Sequence, residues 1–108
     1  MYELEPKYDR AKSFYRKAFV EKRDGGIDLY SYESLVATAV FQEETGSWKL
    51  VLYDDVYEDA YYGWQCYYES NTTRRHVSEF SQQWCHKPLN KAEMYAILEQ
   101  QKKEAAQC

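Results

Sequence analysis

The chain has 108 residues, of which 44% are hydrophobic, and a formal net charge of −4. That length holds one domain of ordinary size and excludes two independent cores. No apolar run approaches the ~20 residues needed to span a bilayer, so no membrane contact is expected. The charge is uneven: residues 1–23 sum to +3, residues 24–69 to −9 and residues 70–108 to +2. An acidic middle between basic ends argues against a general nucleic-acid binder with a broad positive field and leaves room only for a local basic patch.

Twelve residues are Tyr. A ring with a polar tip suits sheet faces and binding surfaces alike. The N-terminus, MYELEPKYDRAK, has no apolar signal core, and the cysteines are three: Cys66, Cys85 and Cys108. Both features lead to the expectation of reduced thiols in a cytosolic compartment.

Residues 8–23 carry two patterns. Tyr8, Ala11, Tyr15, Ala18 and Phe19 recur at helical spacing, whereas Phe14, Ala18 and Val20 fit one strand face. Asp24-Gly25-Gly26 is a turn signal with residues that accept positive φ. A tight turn into a second extended run favours a strand over 13–22. Residues 27–41 read as one run that alternates at first and ends apolar on both faces, from Leu35 to Phe41. Glu44-Thr45-Gly46 turns the chain into a third strand over 47–55, with Trp48, Leu50 and Leu52 on one face. Residues 54–69 are acidic and Tyr-rich, with a fourth strand near Trp64–Tyr68.

Two helices follow. Ser70, Asn71 or Thr72 can cap the first, whose apolar face is Thr73, Val77, Phe80 and Trp84. Asn90 with Glu93 forms a capping box before the second, striped by Met94, Ile97 and Leu98. The expected fold is α+β: an antiparallel meander of three to four strands, then two helices packed on one of its faces.

Three blocks occur in order: SFYRKAFV (13–20), LYSYESLVA (29–37) and TTRRHVSEFSQQ (72–83). The arrangement resembles the SFYxKA, LYSYxxxVA and TTxRHxxxF pattern of small uncharacterised phage and mobile-element proteins of Firmicutes. Thr72, Thr73, Arg75 and His76 carry its most specific part. Arg16 departs from it, standing where the pattern often has Gly. Glu33-Ser34 replaces an Asp-Thr or Asn-Thr. The resemblance implies no established activity. It implies a setting, a mobile-element protein in a bacterial cytoplasm, where small proteins often bind and block host factors such as defence nucleases.

Two candidate sites emerge from the residues. Asp54, Asp55, Tyr57, Glu58, Asp59, Tyr61 and Tyr62 form an acidic-aromatic strip suited to a protein interface or to occupying a basic nuclease cleft. The bland alternative is a solvated segment whose acids protect a sheet edge. Thr72, Thr73, Arg74, Arg75 and His76 open the first helix, where free N–H groups and Arg forks can hold a phosphate. The alternative there is a helix cap, with the Arg side chains paired to acids and His76 packed on the sheet.

Metal and catalytic sets are weaker. Cys66, His76, Cys85 and His86 lack paired zinc-ligand spacing. Asp54, Asp55, Glu58 and Asp59 lack the order of a calcium loop. Cys85 and His86 are adjacent, so on a helix their side chains diverge by ~100°. No phosphate loop or nucleophile elbow is present. The expectation is a non-enzymatic binding protein without metal or cofactor, engaging a bacterial host or defence protein. The alternative is a nucleic-acid or nucleotide module. An unpaired edge strand makes a homodimer reasonable.

Overall fold

The structure is a computed structural model and describes residues 1–32, 34–53, 56–59, 61 and 63–106, with the side chains of 56–59 and 63–65 outside the description. The Asp24-Gly25-Gly26 turn forms as its composition dictates. Gly25 takes a φ of 75°, which glycine adopts without steric cost. A Cβ on Gly26 would lie 3.3 Å from the Ala39 carbonyl oxygen. The turn joins β2 (Ala18–Arg23) to β3 (Gly26–Ser31), which continues into β4 (Ser34–Gln42) and β5 (Ser47–Leu52). A two-residue strand, β1 (Tyr2–Glu3), pairs with Phe19 and Val20 of β2. All five strands pair antiparallel in sequence order, a simple meander.

Several expectations are corrected here. The meander has five strands where three to four were expected. The run over 27–41 is two strands, because the chain reverses at Tyr32, whose φ is 51°. Tyr is not a turn-forming residue, so nothing local marks the reversal. The strand expected over 13–22 begins only at Ala18. Before it, Tyr15 and Arg16 adopt φ of 52° and 61° and fold 13–17 into a turn. The third strand ends at Leu52. The expected fourth strand exists as β7 (Gly63–Cys66), yet it pairs with β6 (Val56–Asp59) as a separate two-stranded ladder.

β2 alternates in burial over Ala18–Val20, whereas β3 and β4 are buried on both faces over residues 26–29 and 36–39. Ala18, Val20, Ile27, Leu29, Ala37, Ala39 and Leu52 join one core with Val77, Phe80, Met94 and Leu98 from two helices, α1 (Asn71–Trp84) and α2 (Lys91–Ala106). The opposite sheet face holds a polar chain. Arg23 Nε donates to both oxygens of Asp28 at 3.1 Å. The Thr38 hydroxyl donates to Asp28 at 2.7 Å and lies 2.8 Å from the Tyr53 hydroxyl.

The edge at β5 is closed by a side chain. Gln101 on α2 accepts the Leu52 N–H at 2.9 Å and donates to the Leu52 carbonyl at 2.6 Å. It thus imitates a neighbouring strand at that one residue of the edge. The α2 capping box forms as expected: Glu93 N–H donates to Asn90 Oδ1 at 2.8 Å and Asn90 N–H to Glu93 Oε1 at 3.1 Å. Among the described residues, no helix is long and apolar enough to cross a membrane.

Candidate functional site

The first helix supplies the most constrained cluster. Ser70 is its N-cap, and its hydroxyl accepts the Thr73 N–H at 3.2 Å. Arg74 reaches back to donate to the Tyr68 carbonyl at 2.6 Å. Arg75 forks onto Asp9, with bonds of 3.1 and 2.5 Å. That hydrogen-bonded guanidinium holds the Asp9 carboxyl below its ordinary range. Among the described residues, neither arginine forms a salt bridge with the acidic middle segment. One meets a carbonyl and the other meets the N-terminal segment.

His76 is fully buried. Its Nδ1 lies 2.8 Å from Ser31 Oγ, which is 3.3 Å from Thr73 Oγ1. The Phe14 ring meets it edge-on with centroids 4.6 Å apart, and the Tyr32 ring lies at 6.0 Å. Nε2 has no hydrogen-bond partner among the described residues. Burial, and then the positive charge of Arg75, pushes the imidazole down to about 4, so it is neutral at pH 7. A Ser–His hydrogen bond has the form of an activated nucleophile. Here Ser31 is 2% exposed and His76 0%, so no substrate reaches the pair.

The three blocks singled out in the sequence thus meet at one place. Phe14 comes from the first, Ser31 and Tyr32 from the second, Thr73 and His76 from the third. Arg16 shows what its departure from Gly does: the left-handed backbone is kept at φ 61° with a side chain that disfavours it.

Beside the cluster, a cleft of about 290 Å³ runs between the N-termini of α1 and α2 and is lined by Asn71, Arg74, Arg75, Asn90 and Lys91 among others. Lys91 Nζ is 3.4 Å from Glu69, whose carboxylate also accepts a short hydrogen bond from the Tyr95 hydroxyl. Thr72 is half-buried, and His76 does not line the cleft.

Of the acidic-aromatic strip, Asp54, Asp55 and Tyr62 lie outside the described residues. Tyr57, Glu58 and Asp59 lie on β6, paired with Gln65, Trp64 and Gly63. Tyr61, in the connection between β6 and β7, is 92% exposed. The candidate zinc ligands are dispersed in role: His76 is buried, His86 is exposed past the end of α1, and Cys66 and Cys85 are half-buried thiols. Among the described residues, no group of three or more His, Cys, Asp or Glu side chains converges as a metal site.

Sequence reasoning missed Glu79. Its side chain is buried on α1 and accepts the N–H groups of Tyr8 and Asp9 at 2.7 and 2.8 Å and the Gln83 amide at 2.7 Å. A charged residue on the helix face predicted to be polar gave no signal of this.

The architecture defines a class: a small α+β protein in which two C-terminal helices cover one face of an antiparallel meander. Within it, the chain belongs to a family of unknown function, DUF8033, whose model matches residues 2–96. No curated protein matches the chain, and no solved structure does.

Proposed function

We propose that the chain is a non-enzymatic binding protein that engages a bacterial host protein and inhibits or adapts a nucleic-acid-handling or defence machine, such as a CRISPR-type nuclease. One observation carries the reading. The acidic, Tyr-rich stretch forms a hairpin outside the main sheet, with Tyr61 at its turn almost fully exposed. The sequence of this stretch mixes Tyr with Asp and Glu, and aromatic side chains anchor protein interfaces. The mobile-element setting and the bacterial cytoplasm rest on the resemblance of the three sequence blocks alone.

Tagged protein incubated with bacterial lysate is expected to retain a stoichiometric protein partner after nuclease treatment, read by mass spectrometry. Loss of every partner on nuclease treatment would contradict the reading.

The cleft between the two helix N-termini favours a second reading, a phosphate or nucleotide module using Thr72, Thr73, Arg74 and Arg75. Two helix ends and three cations attract an anion, though Arg75 would have to exchange Asp9 for it. Nucleotide titration is expected to give an affinity that falls steeply with salt and is lost in Arg75→Ala. A flat salt response would remove this reading.

A further inference from the structure

Four described residues other than glycine have positive φ: Tyr15, Arg16, Tyr32 and His86. Three of them meet at one corner. The Tyr32 N–H donates to the Lys17 carbonyl at 2.9 Å, and Lys17 Nζ stands 5.7 Å from the centre of the Tyr32 ring. The Arg16 N–H donates to Glu3 at 3.2 Å. Underneath, Phe14 is locked against His76. The interior therefore holds both turns in a left-handed conformation that is strained for an L-residue at each position. Glycine would relieve that strain, and the chain places two tyrosines and an arginine there instead.

Those side chains point outward. Tyr15 is 74% exposed and Tyr32 47%. Arg16 and Lys17 are exposed, and neither forms an ion pair with a described residue. Tyr15, Arg16 and Lys17 come from residues 1–23, which sum to +3, and Tyr32 from residues 24–69, which sum to −9. We infer that this corner binds single-stranded nucleic acid, with Tyr15 and Tyr32 stacking on bases and Arg16 and Lys17 pairing with phosphates. Rings beside cations are how sequence-tolerant single-strand sites are built. A single strand supplies a stacking base and a phosphate in every repeating unit, whereas a run of acidic residues supplies carboxylates alone. A turn that served only to tuck Phe14 inward would need no large side chain at 15 or 16, whereas the Tyr32 ring also packs 6.0 Å from His76. None of its residues belongs to β6 or β7 or lines the cleft at the α1 N-terminus.

The test uses the full chain and a labelled oligothymidylate of about 20 nucleotides, read by fluorescence anisotropy at low and moderate salt. The wild type is expected to bind, with affinity falling as salt rises, and to prefer the single strand over a duplex of equal length. Arg16→Gly separates function from folding, because it relieves strain while removing a cation. It is expected to raise the melting temperature, weaken binding severalfold and reduce the slope of log affinity on log salt by about 0.7. Arg16→Lys is expected to keep most of the affinity. Tyr15→Gly, which also relieves strain, is expected to weaken binding about tenfold through lost stacking. Absence of oligothymidylate binding at low salt, equal affinity for the duplex, or unchanged binding by a folded Arg16→Gly protein would each overturn the inference.

Discussion

Glu79→Ala is expected to lower the free energy of unfolding by about 3–5 kcal/mol, measured by urea denaturation at neutral pH. The side chain is 1% exposed and holds three N–H donors. Hydrogen bonds to a charged acceptor contribute about 1.5–3 kcal/mol each, and removing the acceptor leaves partly buried backbone N–H groups unsatisfied. Two of those groups belong to Tyr8 and Asp9, so the loss falls on the segment that meets α1 between β1 and β2. Amide exchange at Tyr8 and Asp9 should accelerate more than exchange in β3 and β4. Glu79→Gln keeps one carbonyl acceptor and is expected to recover part of the stability. Wild-type stability in Glu79→Ala would mean that the segment is held by other contacts.

Acid is the second large effect. The folded His76 imidazole titrates at about 4, against an ordinary value of 6.5. Between those values the unfolded chain takes up a proton that the folded chain refuses. Stability is therefore complete above about pH 6.5 and falls as pH drops toward 4, by about 3 kcal/mol in total. Asp9 is depressed in the other family of groups, and its contribution is lost only below the ordinary carboxylate range, outside this window. Urea denaturation at pH 7.5 and 4.5 should show most of the loss, and the His76 ring resonances of the folded protein should titrate near 4 by NMR. A folded-state value near 6.5 would show that the ring is reached by water.

Local chemistry was legible from the residues alone, and long-range engagement was not. The turn at Gly25 and the Asn90–Glu93 capping box depend on neighbours within three residues, and both form as read. The α1 face of Thr73, Val77 and Phe80 is buried because its spacing follows the helical period. The turns at Tyr15–Arg16 and Tyr32 escaped because tertiary packing around His76 imposes left-handed backbone on residue types that avoid it. The side chains of the TTRRH block meet Asp9, the Tyr68 carbonyl and Ser31, and of these only Tyr68 lies nearby in the chain. Spacing within the block therefore suggested a phosphate site, whereas Arg74, Arg75 and His76 already have internal partners. The acidic-aromatic stretch was recognised as a unit, and its pairing as a hairpin apart from the meander is new information from the structure.

The central claim is that this hairpin is the surface that meets a partner. Its most direct test is the charge reversal of Asp54, Asp55, Glu58 and Asp59 to Lys, assayed in parallel with the wild type for nuclease-resistant capture of the host protein, with circular dichroism and melting temperature recorded on both. The predicted result is a folded variant that no longer retains the partner. A folded variant that retains it at wild-type stoichiometry would contradict the account and move the interface off the hairpin.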